Sequence, residues 1–169
     1  IWEAEAKTVI GFANATNVLA LLAISDEVKP TSVTAIRELE QMGIAVYMLT
    51  GDAEKAAQAM AAQTGITHYK GGVLPQQKAD FIKELQAQGK TVAMVGDGIN
   101  DSTALAQADV SIAMGKGSAI AMEVANMTLM TSDLHKIPQA IRLSKATVAT
   151  IHQNLFWAFI YNVIGIPIA

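Results

Sequence analysis

Apolar residues at the start of the chain follow the pattern of paired β-strands. Residues 8–24 contain two apolar runs separated by the turn-prone segment NATN. Two such runs joined by a short polar turn favour a β-hairpin or a close strand return. The polar segment SDEVKP then ends the second run.

From Thr31 onward, helical periodicity alternates with short apolar runs. Helices are predicted over residues 31–43, 53–64 and 76–88, each with a glycine at or directly after its end, which is the usual C′ position of a helix. Strands are predicted at IAVYML, near ITHY, and at TVAMV and VSIAM. Strands that alternate with helices imply an α/β fold with a doubly wound parallel sheet.

A last helical pattern begins at Leu134 and becomes almost wholly apolar beyond Asn154. Residues 155–169 are fewer than the roughly 20 that cross a hydrocarbon core, so they fit either a truncated membrane span or a buried core helix. We favour the truncated span, because Trp157 and Tyr161 suit a membrane interface and basic residues precede the apolar run. This interpretation predicts a C-terminal helix entering the membrane, with residues 1–154 in the cytoplasm.

The composition indicates a folded, mildly acidic protein. Of its 169 residues, 51% are hydrophobic and 16% are charged, with a net charge of -3, so no basic patch for nucleic acid is expected. Cysteine is absent, which excludes disulfides, thiolate nucleophiles and cysteine-ligated metals within these residues. Because the chain starts at Ile1 and ends in an apolar segment, we expect it to be a fragment of a longer protein.

Acidic residues follow one predicted strand at its carboxyl end, where the functional loops of parallel sheets lie. Asp97 comes one glycine after the strand TVAMV, so its carboxylate should project from the strand tip. Such an oxygen suits Mg²⁺, a hard cation. Gly96 and Gly98 would let the backbone bend around a bound group.

Other polar residues predict a phosphate site beside that metal. Thr50 and Gly51 end another predicted strand and offer a hydroxyl and free backbone N–H groups to an anion, with Asp52 as a helix N-cap. Asn100 and Asp101 either bind cation and phosphoryl oxygens or cap the next helix.

Lys78 is the candidate cation of this site. It lies early in a predicted helix, where a positive charge is unfavourable unless a negative group faces it. A bound phosphate would supply that group, and a solvated surface lysine is the alternative for Lys78 taken alone. The ordered series of TGD, Lys78 and GDGIND across successive αβ units favours the phosphate site.

The motifs TGD (50–52) and GDGIND (96–101) resemble those of the haloacid-dehalogenase superfamily and, within it, heavy-metal P-type ATPases of the copper-exporting type. The resemblance extends along essentially the whole chain and implies a Rossmann-like sheet of the haloacid-dehalogenase type. It also implies four parts: the tail of a nucleotide-binding domain (1–24), a phosphorylation domain (25–133), a stalk helix (134–154) and the start of a transmembrane helix (155–169).

The resemblance implies a role for each motif residue. Asp97 would bind Mg²⁺. Catalytic roles would fall to Thr50, Gly51, Asp52, Lys78, Asn100 and Asp101, of which Thr50, Gly51, Lys78 and Asn100 would contact the phosphoryl group. In this family the Asp of DKTGT accepts the γ-phosphoryl group of ATP as an acyl phosphate. DKTGT is absent here and Asp26 is interpreted as a hinge residue, so activity is expected to need the upstream part of the pump.

Tyr161 and Asn162 match the YN pair that copper-type pumps carry in the first membrane helix after this domain. The resemblance implies that they contact the transported Cu⁺ or Ag⁺, and an interfacial tyrosine with its neighbouring asparagine is the alternative. Soft sulfur ligands for Cu(I) would lie upstream, and the lipid membrane and a copper chaperone are expected partners. Ala119 departs from the family, where an acidic residue is usual.

Two other functions have different requirements. A free-standing phosphatase of the same superfamily would need its own DxD nucleophile and no membrane helix. A regulatory module would bind Mg²⁺ or phosphate without catalysis, and the isolated fragment could behave so. The favoured prediction is an ATP-driven copper (Cu(I)/Ag(I)) export pump, for which this chain supplies the magnesium and phosphate-binding half of the phosphorylation site.

Overall fold

A computed structural model describes residues 8–24, 28–97, 100–115 and 119–168. Each predicted helix and strand has a counterpart there. The elements are β1 Thr8–Ala13, β2 Val18–Ile24, α1 Pro30–Gln41, β3 Tyr47–Leu49, α2 Glu54–Thr64, β4 His68–Lys70, α3 Pro75–Ala87, β5 Ala93–Gly96, α4 Ser102–Gln107, β6 Val110–Met114, α5 Ala119–Val124, β7 Met127–Leu129 and α6 Lys136–Ile168. Asp26, Gly98 and the Ala119 side chain lie outside the described parts, so the predictions made for them are not compared with the structure.

β1 and β2 form the predicted antiparallel hairpin. Asn14 closes its turn, because its side-chain Oδ1 accepts hydrogen bonds from the backbone N–H groups of Thr16 (3.0 Å) and Asn17 (2.7 Å). Asparagine favours turns through such local bonds. The hairpin is a sheet of its own, and large apolar side chains such as Phe12 (55%) and Leu19 (67%) are exposed on it.

The parallel sheet is present as two separate ladders. β3 pairs with β4, and β5, β6 and β7 lie side by side in that order, with all of these pairs parallel. The prediction of a parallel α/β fold is confirmed. No strand among the described residues pairs with both β3 and β5, so the single sheet that was predicted is divided there.

Helices cover both faces of the β5–β6–β7 ladder. Ile112 and Met114 of β6 pack against Ile137 of α6. Ala113, which lies between them, packs against Leu105 of α4 and Ala121 of α5. Because successive side chains of a strand point to opposite faces, this alternation gives the doubly wound arrangement predicted for the fold.

A polar cluster fastens α1 to the start of α6. Glu38 of α1 accepts hydrogen bonds from His135 Nε2 at 2.8 Å and from the Arg142 guanidinium group. His135 Nδ1 accepts a hydrogen bond from Gln139 Nε2 at 3.0 Å. The oxygen of the same amide, Gln139 Oε1, accepts a hydrogen bond from Lys136 Nζ at 3.1 Å. We call Glu38, His135 and Arg142 the Glu38 cluster.

We expect acid to weaken the Glu38 cluster. The hydrogen bonds from Arg142 and then His135 hold the pKa of Glu38 below its ordinary value of 4.5. A carboxylate whose pKa is lowered by folding stabilises the fold above the pKa of the unfolded chain, and that contribution is lost as pH falls through the folded value. Denaturant titrations of Glu38→Gln should therefore show lower stability near neutral pH and a smaller loss on acidification below pH 4.5.

A matched variant in the same helix tests whether this behaviour belongs to Glu38. Glu40 is exposed on α1, so Glu40→Gln should keep the stability and the acid response of the natural chain. If Glu38→Gln and the natural chain lost stability equally on acidification, the pH-dependent part of this interpretation would be wrong.

α6 runs without interruption through the predicted stalk and the predicted span. Its second half exposes large apolar side chains, among them Phe159 (71%) and Ile166 (73%). Within the described parts of the chain, no helix is both long and apolar enough to cross a membrane. The predicted entry of the C-terminal helix into the membrane is therefore not confirmed, because the apolar stretch is short and polar residues 152–154 directly precede it.

Candidate functional site

The loop after β3 holds the first group of predicted site residues. The Thr50 hydroxyl donates to Asp52 Oδ2 at 2.7 Å, and the Asp52 backbone N–H donates to Thr50 Oγ1 at 3.1 Å. α2 has Ala53 as its N-cap residue, without a side-chain cap. The N-cap role predicted for Asp52 is therefore wrong, because the Thr50 hydroxyl engages its carboxylate and the helix begins one residue later. Gly51 lies exposed between them.

The loop after β4 is hydrogen-bonded to the loop after β3. The Lys70 carbonyl accepts from the Thr50 N–H at 3.1 Å, and the Asp52 carbonyl accepts from the Gly72 N–H at 2.6 Å. The Val73 N–H donates to the Thr50 carbonyl at 2.9 Å, and the Val73 side chain is buried. These bonds therefore hold two segments in place against each other. We call these segments, residues 50–54 and 70–74, the paired loops.

Lys78 lies in the first turns of α3, which starts at Pro75. Its ammonium group is 2.7 Å from Asp101 Oδ1, and each of the two side chains is only 13% exposed. The alternative of a solvated surface lysine is therefore wrong, and the negative group that faces Lys78 is Asp101. Removing one partner of such a pair would leave the other charge shielded from water and unpaired, which is costly, so each group keeps the other in position.

Asp101 packs against the end of β5. A Cβ added to Gly96 would lie 2.7 Å from Asp101 Oδ2 and 3.0 Å from its Cβ, so only glycine leaves room for this carboxylate. Gly96 is not among the glycines with positive φ, so the role expected for it in bending the backbone is not observed. Asp101 occupies the N-cap position of α4, but its side chain makes no capping bond, because it is paired with Lys78.

Asp97 and Asn100 lie exposed just beyond β5. The described parts of the chain contain no group of three or more His, Asp or Glu side chains placed to hold a metal ion. Any cation on Asp97 would therefore have fewer than three carboxylate or histidine ligands from these residues. Mg²⁺ is commonly held by one or two carboxylates together with water and phosphate oxygens, so this small oxygen donor set fits Mg²⁺.

Tyr161 and Asn162 lie on α6, far along the chain from the other candidates. Tyr161 is 78% exposed. The Asn162 amide donates from Nδ2 to the Ala158 carbonyl of its own helix at 2.9 Å. This bond uses the amide nitrogen and not the amide oxygen, which can act as an acceptor or a ligand.

Two carboxylates that organise the site region were missed by sequence reasoning. Asp109 Oδ2 accepts from the Val92 N–H at 2.7 Å, just before β5, and this bond is the main cause of the lowered pKa of Asp109. Glu54 Oε2 accepts from the Gly71 N–H at 2.7 Å within the paired loops. Each bond joins residues 17 positions apart, so no local pattern signals it; the adjacent glycines 71 and 72 are the visible hint for Glu54.

Residues 2–109 match a family model described as a hydrolase, haloacid dehalogenase-like. The chain is also 54% identical over 169 residues to the probable copper-importing P-type ATPase A of Enterococcus hirae, a match that covers 99% of this chain and 23% of the relative. It is 51% identical over 168 residues to a copper-exporting P-type ATPase of Staphylococcus saprophyticus, covering 99% of this chain and 21% of the relative. The chain therefore spans less than a quarter of the length of these relatives.

A solved structure is similar to this chain along nearly its whole length. The crystal structure of a zinc-transporting PIB-type ATPase in the E2.Pi state matches with a TM-score of 0.82 and 36% sequence identity, over 97% of this chain and 28% of that one. Because the family model covers more than half of the chain, the protein belongs to the haloacid dehalogenase-like hydrolases, and along its length it is similar to part of the copper-transporting P-type ATPases.

Proposed function

We propose that this chain is a fragment of an ATP-driven pump that exports copper ions, and that it supplies the magnesium and phosphate-binding half of the phosphorylation site. The observation that carries the proposal is the 2.7 Å pair between Lys78 and Asp101, held against the end of β5 from which Asp97 emerges. Phosphoryl transfer depends mainly on positioning and on neutralising negative charge, and this arrangement provides a fixed cation at the strand end that is followed by the exposed Asp97 carboxylate.

This proposal gives a role to each candidate site residue after β3, in α3 and before α4. Thr50 and Gly51 bind the phosphoryl oxygens through a hydroxyl and backbone N–H groups, while the Asp52 carboxylate orients the Thr50 hydroxyl. Lys78 offsets the phosphoryl charge, and Asp101 keeps its ammonium group in place. Asn100 contributes a further polar contact at the start of α4.

Mg²⁺ and ATP are the cofactor and the substrate in this proposal. The Asp97 carboxylate would hold the cation, which when bound would neutralise charge on the transferring phosphoryl group. The nucleophilic aspartate and most nucleotide contacts belong to an upstream part of the longer protein. Without that part, the chain does not hydrolyse ATP.

We further propose that the upstream part completes the sheet. Within the described residues β3 has a ladder partner only in β4, and β5 only in β6. Open strand edges of this kind are sites for pairing with another strand. A strand inserted between β3 and β5 would end at the same sheet edge as both, which is where a nucleophile must lie to face Asp97 and Thr50.

The same proposal assigns each segment of the chain to a part of the pump. The exposed apolar side chains of the β1–β2 hairpin fit the end of a nucleotide-binding domain (1–24) whose other strands lie upstream. Residues 25–133 form the phosphorylation domain, residues 134–154 the stalk and residues 155–169 the start of a membrane helix. The Glu38 cluster ties the stalk to α1, so a shift of the phosphorylation domain is transmitted to α6.

Copper is proposed as the transported ion, with the membrane and a copper chaperone as partners. The curated relatives named above are copper pumps by their names, although one is called importing and the other exporting. The proposal also includes export as the direction of transport, Cu(I) or Ag(I) as the ion, and a membrane location with residues 1–154 in the cytoplasm.

Phosphoenzyme formation tests this function directly. The longer protein that carries this chain, incubated with labelled ATP and Mg²⁺, should become phosphorylated on aspartate, and Cu(I) should stimulate the reaction where Zn²⁺ does not. Stimulation by Zn²⁺ alone would reject the proposed ion. Absence of any acid-stable phosphoenzyme would reject the pump.

We expect Tyr161→Phe and Asn162→Ala to weaken activation by copper, because polar groups on a membrane helix serve as ion-site candidates. The copper concentration for half-maximal phosphorylation should rise by about tenfold, the lower end of the loss in metal affinity when a polar group supporting a metal site is removed, while phosphorylation by inorganic phosphate stays unchanged. Asn154→Ala is the matched control, since Asn154 is an exposed asparagine on the same helix. An equal effect of all three variants would remove the ion-site assignment.

A further inference from the structure

Glu54 connects the two paired loops at a point that no sequence motif marks. Its Oε2 accepts a hydrogen bond of 2.7 Å from the Gly71 backbone N–H. Glu54 is the first residue of α2, directly after the loop that carries Thr50 and Gly51. Gly71 directly follows β4. The bond therefore joins the two loops at the ends of two adjacent parallel strands.

Gly71 approaches Glu54 so closely that no side chain fits there. A Cβ on Gly71 would lie 2.6 Å from Glu54 Cα and 2.8 Å from its backbone nitrogen. The neighbouring Gly72 differs, because it has a φ of +62° and open space around the position of a Cβ. The two adjacent glycines thus serve different needs: Gly71 allows a close approach, and Gly72 allows a left-handed backbone conformation.

The loop that Glu54 holds leads straight to Lys78. After Gly72, the chain passes Val73, which is 3% exposed, and enters α3 at Pro75. The Gln77 side chain accepts from the Leu74 N–H at 2.9 Å, and the Lys78 N–H donates to the Leu74 carbonyl at 3.2 Å. A displacement of residues 70–74 would therefore move the start of α3 and the lysine in its first turns.

We infer that Glu54 is a positioning residue for phosphate binding, which holds the Thr50–Gly51 loop and the Lys78 helix in a fixed mutual position. This inference rests on the proposed function. Glu54 itself is exposed and acts through Gly71, so it does not contact the phosphoryl group. Its carboxylate matters as a hydrogen-bond acceptor.

Glu54 could instead act only as a negative charge in the first turn of α2, where acidic residues favour the helix dipole. Glutamine distinguishes these two roles. Glu54→Gln keeps an acceptor oxygen for the Gly71 N–H and loses the charge, whereas Glu54→Ala loses both. A positioning role therefore predicts that glutamine rescues function, and a dipole role predicts that it does not.

The test is phosphorylation of the longer protein by inorganic phosphate with Mg²⁺, measured over a range of phosphate concentrations. Glu54→Ala should raise the apparent dissociation constant for phosphate by about tenfold, the effect of losing one hydrogen bond to a charged group. Gly71→Ala should weaken phosphate binding at least as much. Glu54→Gln and the control Gly72→Asn, which tolerates a left-handed conformation, should stay within about twofold of the natural protein.

Every outcome of this experiment bears on one of the two proposals. If the natural protein is phosphorylated and Glu54→Ala binds phosphate normally, the inference about Glu54 is wrong and the proposed function stands. If Glu54→Gln is as impaired as Glu54→Ala, the charge matters and not the hydrogen bond, and the inference is again overturned. If the natural protein accepts no phosphate, the proposed function itself fails.

Discussion

We expect the Asp97→Ala variant of the longer protein to form no measurable phosphoenzyme from ATP and Mg²⁺, a loss of at least about a hundredfold. The reason is that Asp97 is the exposed carboxylate at the tip of β5, beside the Lys78–Asp101 pair. Without its oxygen the cation loses its protein ligand there, and the phosphoryl charge is left without Mg²⁺. The measurement is the amount of acid-stable labelled protein after a short incubation with labelled ATP.

Asp80→Ala is the control for this experiment. Asp80 is an aspartate on α3 whose side chain is 55% exposed, so its loss removes the same charge without touching the site. We expect this variant to be phosphorylated normally. Normal phosphorylation of Asp97→Ala would remove Asp97 from the magnesium site.

The second large effect should come from Lys78→Met. Because both side chains of the Lys78–Asp101 pair are only 13% exposed, losing the lysine leaves the Asp101 carboxylate without its cation in a place that water reaches poorly. We expect the free energy of unfolding to fall by about 3 kcal/mol. Denaturant titration of the chain near neutral pH measures this loss.

Lys83→Met gives the matched control on the same helix. Lys83 is 54% exposed and lies 3.4 Å from Asp80, and exposed pairs contribute at most about 1 kcal/mol. Adding Asp101→Asn to Lys78→Met should recover about 1 to 2 kcal/mol, because it removes the unpaired charge. Equal losses for Lys78→Met and Lys83→Met would contradict a shielded ion pair.

Local patterns predicted the elements of this fold well. Gly43, Gly65 and Gly89 have φ values of 78°, 82° and 78°. Gly65 directly follows α2, and Gly43 and Gly89 lie two residues beyond the last residues of α1 and α3, close to where the helix-ending signals indicated. Alternation of helical and strand periodicity likewise predicted the parallel pairing. These features depend on neighbouring residues alone, so one sequence is sufficient to read them.

Contacts between distant residues could not be predicted in the same way. Lys78 and Asp101 are 23 positions apart, and the sequence indicated only that some negative group should face the lysine. A phosphate was expected to face Lys78, and the structure shows that Asp101 of the same chain also does so. The N-cap prediction for Asp52 was wrong for a related reason, since a hydroxyl two residues earlier competes for the same carboxylate.

The local sequence pattern also could not predict the lengths of the strands or the continuity of the sheet. The run IAVYML predicted a strand of six residues, but only Tyr47–Leu49 pairs with β4, because a ladder extends only as far as its partner strand. β3 and β5 lie in separate ladders for the same reason, since pairing depends on which partner strand is present. Hydrophobic periodicity shows that a segment can be a strand and does not show which neighbour it has.

A crystal structure of the longer protein with Mg²⁺ and beryllium fluoride, an analogue of the phosphoryl group, tests the proposed site most directly. We expect the analogue to accept hydrogen bonds from Thr50 and Lys78, with Mg²⁺ on Asp97 and a strand from upstream of this chain between β3 and β5. An analogue bound away from these residues, or Mg²⁺ held without Asp97, would contradict the proposed phosphorylation site.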